Sequence, residues 1–325
     1  MSTLSYLKGL VSNVHVQGEK PDVFLFSTPR SGSTFLMEVL NAQPGVKIFD
    51  EPLTVNKEEV RRELGVRTWE EFTVMSDREV RYQRLFERLR RNAMKELNRP
   101  FYWKSSRFLT NRNVFKIVHG GEDMVAWFAA TFGAQIVLLV RHPIATALSH
   151  RQLPRLPYFL RQPGLRALFS PRQIALAERL IERGTILEQG VLNWTIQNAA
   201  MLRPPLDPAW ALVSYEDLTL HFEESFECLR EKLQLAPIAD AASLAGAPSG
   251  STRQSDPATR AFFSGDRAPA DRRYLVEKWR ERVSAEEERR AFEICDAFDV
   301  RVYERGNLLP KDEFRIPALR KGRST

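Results

Sequence analysis

Two arginines in this chain stand where anions are commonly held. Arg30 lies in Phe24-Leu25-Phe26-Ser27-Thr28-Pro29-Arg30-Ser31-Gly32-Ser33-Thr34-Phe35-Leu36, an apolar run that stops at a Pro/Gly/Ser turn and resumes with a helix pattern. The first N–H groups of a helix have no internal partner and its dipole is positive there, so a strand feeding such a loop makes a seat for phosphate. Here that seat would be the backbone of Ser31, Gly32, Ser33, Thr34 and Phe35, with Arg30 adding a full charge. The nucleotide-hydrolase form of the loop, GxxxxGK[ST], needs a Lys directly after its last Gly; Gly32 is followed by Ser33 and Thr34, which argues against Mg–ATP chemistry. Taken alone, the segment also fits an ordinary connector with no ligand. Downstream, Ile136-Val137-Leu138-Leu139-Val140 is again a short apolar run, ended by Arg141-His142-Pro143 and followed by a helix pattern with Pro143 in its first turn. Arg141 then stands at a strand end and Ser149 about two turns along the helix, placed to converge on one oxyanion.

This pair of loops resembles the sulfotransferase family. Thr28-Pro29-Arg30-Ser31-Gly32-Ser33-Thr34-Phe35-Leu36 is similar to that family's 5′-phosphosulfate loop, in a variant carrying Arg where cytosolic members usually have Lys. Arg141 and Ser149 have the spacing of the pair that holds the 3′-phosphate of 3′-phosphoadenosine 5′-phosphosulfate (PAPS). Gly45 to Leu53 looks like the strand and Glu-Pro turn that follow the loop in bacterial and carbohydrate-type members, and Trp210 to Leu218 like the strand ending in Tyr-Glu-Asp-Leu. Pro248-Ser249-Gly250-Ser251-Thr252-Arg253-Gln254 occupies the place of the late loop that closes over the cofactor, which would make Arg253 a ligand, although it departs from the family's K-G-x-x-G form. Residues 54–113 and 151–190 match no landmark of the family.

The resemblance implies sulfuryl transfer from PAPS to a hydroxyl, or in second place an amine, on a carbohydrate, lipid or small alcohol. Such a reaction needs positive charge at the departing phosphate and a base at the acceptor. Arg30 and the loop N–H groups would supply the first. For the second, Glu51 matches the Glu-Pro position whose carboxylate serves as base in related enzymes. His119 is its rival: it ends the run Val114-Phe115-Lys116-Ile117-Val118 and precedes Arg141 by a separation similar to that of the catalytic His in cytosolic members, although Gly120-Gly121 follow it and Lys116 is one residue out of register. Glu216 and Asp217 are read as structural, holding the loop after their strand. Two other functions use the same architecture: a nucleotide-dependent kinase, which would require Mg²⁺ and a Walker-type Lys, and a non-catalytic nucleotide-binding protein, which would keep Arg30 and Arg141 without a base.

Elements that would position these residues follow from the hydrophobic pattern. Apolar runs near 22–28, 46–49, 114–118, 136–140 and 210–215 read as strands, most of them followed by helices. Strands alternating with helices pair in parallel, so the expected fold is α/β, a three-layer sandwich with a central parallel sheet flanked by helices, which the sulfotransferase resemblance would make P-loop NTPase-like. Ligands of such sheets bind at the carboxyl ends of strands, where Arg30, Glu51, His119 and Arg141 would meet. Ser76 to Leu97 carries Tyr82, Leu85, Phe86, Leu89 and Ala93 on one stripe and reads as an amphipathic helix. Arg151 to Phe169 mixes bulky apolar and basic residues with three prolines, which no single regular helix accommodates; a mobile flap over the acceptor or against an anionic lipid surface and a plain surface loop are both open.

At 325 residues and 43% hydrophobic, the chain can bury a large core as one sulfotransferase-sized domain spanning 1–325, with an N-terminal extension over 1–20 and insertions at 54–113 and 151–190 expected on the acceptor side. No apolar run approaches the ~20 residues needed to cross a bilayer and the N-terminus lacks a signal peptide's apolar core, so the expected location is the cytoplasm, with peripheral membrane contact at most. Cys228 and Cys295 fall in amphipathic helix patterns and read as buried thiols in a reducing compartment. No His/Cys/carboxylate cluster has ligand spacing, so no metal is expected. The formal charge of +7 rests on 37 Arg against 11 Lys; guanidinium suits phosphate and sulfate, though base composition alone can trade Lys for Arg. Basic residues are dispersed among acids with no reading motif, so nucleic-acid binding is not expected.

Overall fold

A computed structural model of the chain describes residues 14–94, 97, 109–150, 152–238 and 272–320. Its strands are β1 (Val14–His15), β2 (Val23–Ser27), β3 (Val46–Asp50), β4 (Leu109–Thr110), β5 (Arg112–Ile117), β6 (Gln135–Val140) and β7 (Ala211–Ser214). Five of them form one sheet in the order β3-β5-β2-β6-β7, every neighbouring pair parallel, while β1 and β4 make a separate short parallel pair. The five expected strands are all present, each within two residues of its expected ends.

Burial on both faces explains the composition of these strands. Side chains alternate across a pleat, so Phe24 and Phe26 of β2 enter one core while Val23 and Leu25 enter the other. On the first face Phe115 stacks between Phe24 and Phe49, with centroids at 4.8 and 4.9 Å. Helices cover both faces: α1 (Ser33–Asn41), α2 (Glu58–Leu64), α3 (Trp69–Thr73), α4 (Arg78–Arg90), α5 (Val125–Phe132), α6 (Pro143–Ala147), α7 (Pro171–Arg183), α8 (Ile186–Met201), α9 (Tyr215–Leu220), α10 (Phe222–Leu233) and α11 (Ala285–Ala297). Leu36, Met37, Phe222 and Phe226 belong to the second core, and Tyr82, Phe86, Phe128 and Trp194 to the first.

The chain leaves β2 toward β3 on one side and leaves β6 toward β7 on the other. That reversal opens a crevice at the carboxyl ends of β2 and β6, the place where open parallel sheets bind ligands.

Several local expectations are corrected. Helix α4 ends at Arg90, and Ala93 is exposed beyond it; Tyr82, Leu85, Phe86 and Leu89 form the buried stripe. The proline-broken segment is neither a free flap nor a loose surface loop: it folds as a 3₁₀ turn over Leu156–Arg161 and a single helical turn over Pro163–Arg166, with Leu156, Phe159, Leu160 and Leu165 buried in the core. Helix α6 stops at Ala147, so Ser149 lies in the turn after it instead of two turns inside it. Tyr215-Glu216-Asp217-Leu218 opens a helix instead of ending a strand, because the Ser214 hydroxyl accepts from the Asp217 N–H and caps it. Cys295 is buried but Cys228 only partly. No helix of the described residues is long and apolar enough to cross a membrane.

Candidate functional site

The loop between β2 and α1 is held in a shape few sequences tolerate. Arg30 and Gly32 both have positive φ, 71° and 88°. A β-carbon on Gly32 would stand 2.4 Å from Cδ2 of Tyr215, so glycine is needed there twice over, for its backbone and for the ring beside it. The Ser31 N–H returns to the Thr28 carbonyl at 3.3 Å and the two hydroxyls meet at 2.5 Å, closing the turn on itself. Helix α1 starts at Ser33, leaving the N–H groups of its first turn without i−4 partners at the loop's mouth. Phe35 packs its ring against Phe222, centroids 6.1 Å apart, so it offers the mouth only its backbone.

Arg141 joins this loop to its neighbour. Its Nη1 donates to the Arg30 carbonyl at 2.9 Å, and its guanidinium lies over the Tyr215 ring at 4.2 Å. The Arg141 carbonyl in turn accepts from the indole N–H of Trp194 at 2.9 Å. Glu216 fixes the adjoining backbone by accepting from the His142 N–H at 3.0 Å and the Tyr303 hydroxyl at 2.6 Å; burial pushes its carboxyl up to about 7. Asp217 is equally engaged, holding Arg315 at 2.7 Å. Both acids therefore shape the loops and leave the chemistry to others.

On the other side of β2, parallel register sets Lys116 of β5 opposite Asp50 of β3. The buried Lys116 ammonium lies 2.5 Å from Asp50, 3.2 Å from Glu51 and 3.3 Å from the Thr34 hydroxyl. Burial alone would lower its pKa, but the two carboxylates outweigh that and leave it raised. Lysine and Glu51 are thus a charged pair at the edge of the anion loop. Glu51 itself takes a positive φ of 49°, a cost that clusters at functional sites.

A cavity of about 580 Å³ opens beside this pair, and Arg30, Glu51, His119 and Ser149 all line it. His119 stands edge-on to Trp69, centroids 4.9 Å apart, and its Nδ1 has no hydrogen-bond partner. Burial, then the charges of Arg155, His150 and Lys116, hold its pKa well below the usual value. Such an imidazole is neutral at pH 7 and a weak base. His150, on the same wall, is lowered to about 4 by burial and by Arg30.

The structure thus brings Arg30, Ser31, Gly32, Ser33, Thr34 and the Phe35 backbone to one mouth, and Arg30, Glu51, His119 and Ser149 to one cavity. It does not join Arg141 and Ser149 by any hydrogen bond: the Ser149 hydroxyl donates to Ala145 O at 2.8 Å, and Arg141 donates to the Arg30 carbonyl. Arg253 lies outside the described residues. Sequence reasoning missed Lys116 as a member of the site, and with it Trp69, His150, Asn193 and Gln197 on the cavity wall. Among the described residues no group of three or more His, Cys, Asp or Glu could hold a metal ion.

Against known proteins, residues 21–240 match a model described as the sulfotransferase family. Similar solved structures include the sulfotransferase domain from the Synechococcus PCC 7002 olefin synthase, 18% identical with a TM-score of 0.45 over 89% of this chain and 97% of that one. Mouse sulfotransferase SULT7A1 complexed with PAP is 18% identical, with a TM-score of 0.46 over 90% of this chain and 89% of that one. The sulfotransferase domain from the curacin biosynthetic pathway is 17% identical, with a TM-score of 0.44 over 86% and 98% respectively. A search of curated proteins found no match.

Proposed function

The chain belongs to the sulfotransferase family, and from that premise we propose that it moves the sulfuryl group of PAPS to an acceptor hydroxyl. The observation that carries this reading is the meeting, at one mouth, of an anion loop and a lysine-paired carboxylate, both opening on an acceptor-sized cavity. The left-handed turn at Arg30 and Gly32, the free N–H groups of α1 and the two arginines fit a donor with phosphate at both ends. PAPS would supply an activated sulfuryl group on a phosphate leaving group.

Arg30 and the N–H groups of Ser31 to Phe35 hold the charge that grows on the departing phosphate; losing one such preorganised donor commonly costs about 10²–10³ in turnover. Glu51 takes the hydroxyl proton as the acceptor oxygen bonds to sulfur and the sulfur–oxygen bond to phosphate breaks. Lys116 holds that carboxylate in place. Arg141 and Ser149 serve the 3′-phosphate, joined by Arg253 from the late loop. His119 lines the acceptor side as the alternative base.

Isothermal titration with 3′-phosphoadenosine 5′-phosphate (PAP), with and without magnesium and with ATP in comparison, tests the reading. Micromolar, magnesium-independent binding of PAP and none of ATP is the expected result. No binding of PAP, or a preference for Mg–ATP, refutes it in favour of a kinase.

A further inference from the structure

Eleven of the fifteen residues lining the cavity beside Glu51 are polar, and they share its surface about evenly with apolar groups, unlike the predominantly apolar pockets that take steroids, phenols or acyl chains. Its apolar contributors are Pro29, Trp69, Leu153 and Pro154. Its volume of about 580 Å³ falls within the roughly 300–1,000 Å³ of small-molecule sites.

Two amides on successive turns of α8, Asn193 and Gln197, form part of the inner wall and are only 3% and 2% exposed. Gln197 Nε2 reaches Asn193 Oδ1 at 3.5 Å, and Gln197 Oε1 has no partner at all. Turning both amides over exchanges donor and acceptor and still leaves one end unmatched. Buried polar groups are ordinarily satisfied, so an unmatched amide on a cavity wall calls for a ligand that brings its own hydroxyl or N–H. The imidazoles of His119 and His150 repeat the pattern, since His119 Nδ1 and His150 Nε2 also lack partners.

Charge narrows the class further. Arg155 is paired with Glu122 at 2.5 Å, Lys116 is shared between Asp50 and Glu51, and burial with the neighbouring cations lowers the pKa of both histidines. Beyond Arg30 and Glu51, which the donor and the proton transfer would use, the acceptor end therefore offers an ion-paired arginine, neutral hydrogen-bonding atoms and the indole of Trp69. Resting on the sulfotransferase reading above, we infer that the acceptor is a neutral polyhydroxylated molecule, a saccharide, whose hydroxyls satisfy Gln197 and Asn193 while a C–H face of the ring packs on Trp69. A site built to hydrogen-bond hydroxyls rejects analogues lacking them by about 10⁴–10⁵, which sets this acceptor apart from a lipid alcohol or phenol.

The test uses the full chain and PAPS, reading PAP release and product mass with neutral methyl glycosides and disaccharides, phenols and long-chain alcohols. Acceptor binding to the PAP-loaded protein is titrated in parallel. Saccharides are expected to be sulfated and to bind, with phenols and alcohols at least a hundredfold poorer in kcat/KM. Gln197→Met should then lower kcat/KM for the saccharide about ten- to a hundredfold while the Kd for PAP stays unchanged. Trp69→Leu should raise KM, and Trp69→Phe should restore most of the loss. Turnover or binding confined to phenols or alcohols, or to none of the panel, overturns the saccharide assignment while PAP binding leaves the donor reading standing. Absence of PAP binding overturns both.

Discussion

Replacing Lys116 by methionine keeps the length of the side chain and removes its charge, leaving two neighbouring carboxylates with no cation between them. Breaking a fully buried pair costs about 3–5 kcal/mol, whereas exposed pairs are worth about 0–1 kcal/mol. The Lys116 side chain is 3% exposed but Asp50 and Glu51 are 30% and 36% exposed, so solvent screens part of the repulsion and about 1–3 kcal/mol is the expected loss. At roughly 2–4 °C per kcal/mol, the variant should melt on the order of 2–12 °C lower at neutral pH. The sign of the pH dependence follows from the raised pKa of Lys116: its contribution is fully present below the unfolded value and is lost only as the pH rises through the folded one, in the alkaline range. The deficit should therefore persist across neutral pH.

Turnover supplies a second readout of the same change. If Lys116 acts by aiming Glu51, Glu51→Gln alone should lower kcat by about 10²–10⁴, and adding Lys116→Met should lower it no further than about threefold. Urea denaturation at several pH values and a kinetic double-mutant cycle are the assays. An unchanged melting temperature, or losses in kcat that multiply, would refute the positioning role and put Lys116 in direct contact with the transferred group.

Arg141→Ala should weaken PAP binding roughly tenfold to a hundredfold by titration calorimetry, the worth of one charge-assisted contact; unchanged affinity would remove Arg141 from the site. Gly32→Ala forces a β-carbon to 2.4 Å from Tyr215 in a backbone at φ 88°, so it should both lower the melting temperature and abolish measurable PAP binding, and normal behaviour in either assay would contradict the loop geometry. Acid should destabilise the fold through its histidines. His142, stacked on Trp279 at 4.3 Å, is lowered to about 3 by burial and then by Arg141 and Arg280, His150 to about 4, and His119 well below its usual value. Depressed histidines stabilise above the unfolded value near 6.5 and lose that contribution as pH falls. Glu216, raised to about 7, works in the opposite direction by releasing about one proton on unfolding near pH 5.5. The depressed histidines outnumber Glu216, so stability should fall as the pH drops below about 6.5; urea titrations showing a flat or inverted dependence between about pH 5 and 6 would refute the burial of these rings.

The sheet and its two anion loops were legible in the sequence because they are local. Five apolar runs buried on both faces announce themselves without help from neighbours, and each loop follows directly from the strand that feeds it. What stayed hidden depends on partners distant in the chain. Lys116 looks out of register until β3 is laid beside β5 and Asp50 falls opposite it. Helix α6 was expected to run past Ser149, but nothing local marks its stop at Ala147. Tyr215 reads as the end of a strand unless the Ser214 hydroxyl is seen turning to cap the next helix. The acceptor wall is the extreme case, assembled from Trp69, His150 and α8, segments whose own patterns signal only packing.

Helix α8 carries both ends of the cleft on one rigid rod. Trp194 grips the carbonyl of Arg141, Gln197 stands on the cavity wall, and at Gly190 the helix lies so near Ala147 that a β-carbon would come within 2.8 Å of its neighbour. Rods packed this tightly shift as units. A molecule that shifted the helix at Gln197 would move the seat of Arg141 with it, and any coupling between the occupants of the two ends would run along this rod. Thermodynamic reciprocity then requires that whatever factor the second guest gains from the first, the first gains from the second.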